Sequence, residues 1–223
     1  MAMTSQNEDE YLEAIYHLTE EGRPAHTRDI ALRLDVKPPS VTEMLRKLSV
    51  DGLVEYRPYH GAKLTRRGRR MGQKLTRKHR IFETFMSTVL GTPSEQAHLQ
   101  ACQMEHLLSD DAEHALCKMM GKPEVCADDG QPIPACEHDC SSCLHEGVRP
   151  LSQLGENRSG VITHISTKDN TQIRRLVCMG FLPGRRVRVV EVAPLDGPLI
   201  VDIGDTVVAV SREYTDRIFV EEG

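Results

Sequence analysis

Apolar positions recur at three- and four-residue intervals through the first 120 residues of this chain, then gather from Leu151 onward into short β-branched runs. The first spacing belongs to helices with one buried face and the second to strands, so a helical part precedes a β part. Residues 5 to 21 predict a first helix: Leu12, Ile15 and Leu18 form its stripe, Ser5 with Glu8 offers a capping box, and Gly22 supplies the stop. Thr27 is expected to cap a short helix through Ile30, Ala31 and Leu34. Pro38 and Pro39 open the next, where a missing N–H costs nothing, and Val41, Met44, Leu45 and Leu48 give it an inner face. Residues 53–56 and 62–64 then read as two short strands around a turn at 57–61. Thr65 begins a long helix that runs to Leu90 and stops at Gly91, Ser94 caps a further helix, and Ser109 caps another that ends at Gly121. In the β part, 161–165, 187–192, 199–203, 207–210 and 218–220 read as strands, and a helix through Ile173, Leu176 and Met179 stops at Gly180, which together predict a small β barrel.

Charge gives the helical part a direction. The 223 residues carry a net charge of -5, yet residues 23–80 hold 16 Lys and Arg against 5 Asp and Glu, whereas 81–150 hold 3 against 12. The basic block suits phosphates and the acidic one suits cations. Helix, helix, turn, helix and a basic hairpin is the order of a winged helix-turn-helix. The helix from Pro39 is expected to enter the major groove with Pro39, Ser40, Thr42 and Glu43, while Arg28, Lys37, Arg57, His60 and Lys63 contact phosphates or the minor-groove edge. There is no apolar run long enough for a membrane span and no leader pattern, so a soluble cytoplasmic protein is expected. Seven cysteines in such a chain point to thiols or metal ligands.

The candidate chemistry is metal ligation. His98, Cys102 and His106 are spaced four apart with Glu105 beside them, and His79 and Glu83 repeat the spacing one helix earlier. Nitrogen, sulfur and carboxylate donors together suit iron, manganese, cobalt or zinc better than calcium or magnesium. Cys126, Cys136, Cys140 and Cys143 fall in a segment, 122–150, of almost no apolar content, where four thiolates would hold zinc or an iron–sulfur cluster.

Residues 1 to about 121 resemble the diphtheria toxin repressor family of iron-dependent repressors, through Glu10-Tyr11-Leu12 with Ile15-Tyr16, Asp51-Gly52-Leu53-Val54, Arg77-Lys78-His79-Arg80 and Glu105-His106-Leu107-Leu108-Ser109-Asp110. Residues 176–184, Leu-Val-Cys-Met-Gly-Phe-Leu-Pro-Gly, resemble the FeoA family of SH3-like barrels. The resemblance implies an α+β protein with a winged head at 1–73, a helical dimerisation and metal-binding domain at 74–121, a cysteine-rich linker at 122–150 and an SH3-like barrel at 151–223. It implies a homodimeric repressor of metal-homeostasis genes, not an enzyme, that binds a palindromic operator with Fe(II), or Mn(II), as corepressor. Its primary site would be Glu10, Cys102, Glu105 and His106, and its ancillary site His79, Glu83, His98, Asp169 and Gln172. Iron-sensing members usually carry Met where this chain has Glu10, and manganese-sensing ones a carboxylate in place of Cys102, so the chain is a hybrid, and iron is favoured. Glu13 is read as solvent-exposed, a reserve ligand at most. Two rivals are a metalloenzyme built on His79, Glu83 and His98, which leaves the basic head without a role, and an iron-transport accessory protein, which leaves the first 120 residues unexplained.

Overall fold

A computed structural model describes residues 6–20, 22–136, 147–167 and 169–223. The chain forms two compact units, one of residues up to His79 with Cys102–Leu107 and one of Arg80–Ala101 with Leu108–Gly223.

The first unit opens with α1 (Gln6–Leu18), α2 (Thr27–Arg33) and α3 (Pro38–Val50), followed by the hairpin of β1 (Val54–Arg57) and β2 (Gly61–Leu64). Leu12, Ile15, Ile30, Val41, Leu45, Leu48 and Ala62 are completely buried in its core, which is the helical stripe of each segment turned to one centre. The start of α2 differs from the expectation: His26 precedes it without a side-chain cap, and Thr27 is already helical. The hairpin is antiparallel, with Val54 opposite Leu64 and Arg57 opposite Gly61, and a bridge between Ala25 and Ala62 ties its base to the chain ahead of α2. The long helix α4 (Arg66–Phe85) leaves the hairpin through Gly68, which is glycine because a Cβ there would stand 2.0 Å from the Leu53 carbonyl oxygen.

In the second unit α4 finishes in one π-type turn, Met86–Leu90, closed by Gly91 at φ 69°. Next come α5 (Ser94–Met104) and α6 (Asp110–Met119), whose expected cap is present: the Ala112 N–H donates to Ser109 Oγ at 3.1 Å. Ile81, Cys117 and Met120 pack with Ile133, so the first part of the polar 122–150 segment folds onto these helices. A bridge between Val125 and Pro132 and the Arg80 guanidinium on the Pro132 carbonyl hold it there. Although the 122–150 stretch has almost no apolar content, its described part therefore contributes Ile133 to a core.

The β part is a six-stranded antiparallel sheet in the order β3-β8-β4-β5-β6-β7: β3 (Val148–Pro150), β4 (Ser159–Ile165), β5 (Arg186–Val192), β6 (Leu199–Asp202), β7 (Val207–Val210) and β8 (Ile218–Glu222). Helix α7 (Asn170–Cys178) covers it, with Leu176 and Phe181 completely buried against Val189, Leu199, Val201 and Val220. A last short helix, α8 (Arg212–Thr215), leads into β8. No helix among the described residues is long and apolar enough to cross a membrane.

Candidate metal centre and nucleic-acid interface

Helix α5 stops at Met104, and Glu105, His106 and Leu107 form a turn. Cys102 and His106 are therefore not on one helical stripe, contrary to the spacing argument. The turn sends the Glu105 side chain, 2% exposed, into the first unit. Its Oε2 lies 2.7 Å from His79 Nδ1 and its Oε1 3.4 Å from His106 Nε2, so one carboxylate stands between two imidazoles. Glu13 completes a group with His79 and Glu105 whose ligand atoms all lie within 4.8 Å of one another. His106 Nδ1 is buried and has no hydrogen-bond partner among the described residues, although Asp9 Oδ2 is 3.4 Å away.

The electrostatics follow from two carboxylates sharing a small space. Burial raises the Glu105 acid to about 8, with the Glu13 charge adding to the rise and His79 opposing it. Burial works against ionisation of Glu13 as well, but His17, His79 and a hydrogen bond from Glu105 hold it below the usual carboxylate range. The pair thus shares a proton, which a cation can replace. A buried imidazole nitrogen without a hydrogen bond, beside carboxylates that resist joint ionisation, fits a divalent ion.

Glu10 and Cys102 are both exposed, whereas Asp9 and Glu13, four apart on α1, turn inward. A helix turns about 100° per residue, so Glu10 cannot share the face of Asp9. Reading Glu13 as solvent-facing is corrected: its neighbours are His17, His79 and Glu105. Sequence reasoning also passed over Asp9, although its i, i+4 spacing to Glu13 was available.

A second group lies in the other unit. Glu83, 3% exposed, places Oε1 2.9 Å from His98 Nδ1 and receives the Cys126 thiol on Oε2 at 3.1 Å. Burial pushes that thiol up to about 11, and the Glu83 carboxylate adds to the effect. Asp128 is raised too, by burial and by the Glu83 charge. His79, expected with Glu83 and His98, makes its Nδ1 contact with Glu105 inside the first unit. Asp169 caps α7 by accepting from the Thr171 N–H at 2.8 Å, and Gln172 lies between Thr167 and Glu213. Both line a cavity of about 910 Å³ that Thr84 and Cys126 also line. Of the four linker cysteines, Cys126 is buried against Glu83 and Cys136 is half-buried, while Cys140 and Cys143 lie outside the described residues.

The basic face belongs to the head. Lys37, Pro39, Ser40 and Glu43 at the start of α3 are exposed, as are Arg28 on α2 and Arg57, His60 and Lys63 on the hairpin. Thr42 is half-buried, and its hydroxyl donates to the Pro38 carbonyl at 3.2 Å. Between Glu55 and Glu83 the chain has no acidic residue. Lys47 on α3 pairs with Glu8 of α1 at 2.5 Å, and this contact raises the ammonium pKa. The helix that brings Asp9 and Glu13 to the metal-type cluster is thus also bonded to the helix of the exposed basic face.

That joint construction agrees with the comparisons. Residues 3–62 match the iron dependent repressor N-terminal DNA binding domain, 65–135 the iron dependent repressor metal binding and dimerisation domain, and 149–222 the FeoA domain. The iron-dependent repressor IdeR of Mycobacterium leprae is 31% identical over 222 residues, 95% of each chain. The chain belongs to the iron-dependent repressor family. The Mycobacterium tuberculosis IdeR is 32% identical over 228 residues, again 95% of each chain. Among solved structures, a manganese-dependent transcriptional repressor in complex with manganese superposes with a TM-score of 0.54 at 26% identity, covering 97% of this chain and 100% of the other. The IdeR of T. acidophilum shares the fold, with a TM-score of 0.52 at 22% identity and coverage of 100% of both chains. The winged head, the helical middle domain and the FeoA-type sheet are thus the three parts of a family repressor of transcription.

Proposed function

We infer that this iron-dependent repressor family member is a metal-activated DNA-binding repressor of metal-homeostasis genes, acting as a homodimer on a palindromic operator with Fe(II) as corepressor. The observation that carries the reading is the Glu13, His79 and Glu105 cluster beside His106 and Asp9, because its α1 ligands sit on the same helix that Glu8 ties to Lys47 of α3. Glu13, His79 and Glu105, with His106 and Asp9 beside them, would hold the metal, whose positive charge would let both carboxylates ionise together and would tie α1 to the 105–107 turn. Glu10 is a neighbour of Glu13 at i, i+3, so with Cys102 it stays a candidate outer ligand of this primary site.

Glu83, His98 and Cys126 are the proposed ancillary site, with Asp128 near them and Asp169 and Gln172 on the wall of the adjoining cavity. The buried thiol there softens the donor set toward iron or zinc, while the oxygen-rich cluster of the first unit accepts Mn(II) equally well, which makes Mn(II) the second reading. The zinc or iron–sulfur site on Cys126, Cys136, Cys140 and Cys143 competes with this assignment for Cys126. Exposed Leu90, Leu99, Met104 and Leu107 supply apolar surface for the homodimer. Two α3 helices then meet half-sites spaced about 34 Å apart.

The test is anaerobic binding of the full chain to DNA from its own promoter at fixed salt, comparing chelator, Fe(II), Mn(II), Co(II) and Zn(II). Tighter binding with metal, strongest with Fe(II), is the expected result. Equal binding in chelator and in every metal would refute metal activation, and a lead for Mn(II) would replace iron with manganese.

A further inference from the structure

The hairpin tip carries a residue that its backbone should exclude. Arg57 accepts a hydrogen bond from the His60 N–H at 3.0 Å, which makes Pro58 and Tyr59 the two central residues of a tight turn. Tyr59 has φ 66°, the left-handed value that this third turn position demands and that Gly or Asn normally supplies. A bulky side chain there strains the backbone by about 1–2 kcal/mol per residue. Burial does not compensate, because Tyr59 is 100% exposed, whereas the other four tyrosines are buried or half-buried.

The turn is also held firmly. Gly61, at φ 89°, lets the strand pass so close to Ala25 that a Cβ would stand 2.8 Å from the Ala25 carbonyl oxygen, and the Ala25 and Ala62 backbones exchange hydrogen bonds of 2.9 and 2.8 Å. A strained, fully exposed aromatic on an anchored tip is an outlier of the kind that a binding role accounts for. Its surroundings name the partner: Arg57 and His60 flank it at the tip and Lys63 is exposed on β2, while the hairpin's one acidic residue, Glu55, sits two positions before Arg57 opposite Lys63, and no acidic side chain follows until Glu83. Arg57 and Lys63 offer positive charge and His60 a polar ring to a phosphate backbone, and an aromatic ring among them is placed against the sugars and bases between those phosphates.

We propose that Tyr59 is a DNA-contact residue, its ring packed into the minor groove next to the major-groove stretch faced by α3. This rests on the DNA-binding reading of the head. The ring contributes affinity through packing and not through charge, so its effect does not depend on salt.

The experiment uses the full chain with Mn(II), and anaerobically with Fe(II), on a fluorescently labelled duplex from its own promoter, comparing wild type, Tyr59→Gly and Tyr59→Phe across a salt series, with thermal denaturation of each protein. Tyr59→Gly should bind about tenfold more weakly, as loss of one base-packing aromatic does. Its salt slope should be unchanged, and its Tm equal to or above wild type because the strain is gone. Tyr59→Phe should bind within about twofold of wild type, since it keeps the ring. Undiminished affinity of Tyr59→Gly overturns the inference, as does a loss accompanied by a lower Tm, which would make Tyr59 a support of the wing, or equal weakening by Phe and Gly. A wild type that binds no DNA with either metal would instead refute the DNA-binding reading itself.

Discussion

Replacing Glu105 by Gln should stabilise the metal-free protein while weakening its hold on metal. The side chain is 2% exposed, with Oε2 2.7 Å from His79 Nδ1 and the Glu13 carboxylate alongside. Burial raises its acid from 4.5 to about 8. A raised folded pKa gives stability that is complete below the unfolded value and is lost as pH rises toward the folded one. Each unit of that interval is worth about 1.4 kcal/mol, so between pH 4.5 and pH 7 the wild type forfeits about 3 kcal/mol through this group. Gln has nearly the shape of the protonated acid, retains a contact with His79 and never ionises. The variant and wild type should therefore be equally stable in chelator near pH 4.5 and diverge as pH rises, with the variant about 3 kcal/mol ahead at pH 7. Chemical denaturation in chelator across this range measures the difference, and metal titration of the same preparations should show affinity at least about tenfold lower, since an amide cannot supply an anionic oxygen. A stability difference that stays flat with pH, or a variant less stable than wild type in chelator, would refute the argument from shared burial of two carboxylates.

Three further outcomes are expected. Cys126→Ser should remove the sulfur-to-metal absorption of the Co(II)-loaded protein, because the thiol beside Glu83 is the proposed sulfur ligand; an unchanged spectrum would place the sulfur elsewhere. Gly68→Ala should cost at least about 3 kcal/mol in denaturant, because the added methyl meets the rigid Leu53 carbonyl at 2.0 Å, and wild-type stability would mean that the helix can shift. His164 stacks on Phe219 with ring centres 4.6 Å apart, and burial, with Lys118 and Lys122 nearby, lowers its pKa. That stability is present above the unfolded value near 6.5 and is lost as pH falls, so His164→Phe should flatten the acid side of the Tm profile while a profile identical to wild type would contradict it.

Much of the architecture was legible along the chain. The stripe of Leu12 and Ile15, the proline pair at the start of α3, the Ser109 cap and the β-branched runs are local signals, and local signals set local structure. Errors fell where tertiary packing overrides them. Helix α5 ends at Met104 with no glycine or proline to announce it, α4 closes in a π-type turn, and Val148–Pro150 forms a strand because β8 offers it an edge. Ile133, isolated in a polar stretch, joins a core whose other members come from α4 and α6.

By itself the sequence determined the order of elements, the basic head ahead of an acidic middle, and a supply of His, Cys, Asp and Glu sufficient for metal. Only the tertiary structure decided which of these meet. His79 reaches Glu105 across 26 positions and Cys126 reaches Glu83 across 43, distances over which helical spacing carries no information. Asp9, Glu10 and Glu13 are equivalent as text, and the burial of α1 alone turns two inward and leaves the third in solvent. Tyr59 stands out for the same reason: the hairpin register, pinned through Ala62 to Ala25, puts a tyrosine where the turn calls for glycine.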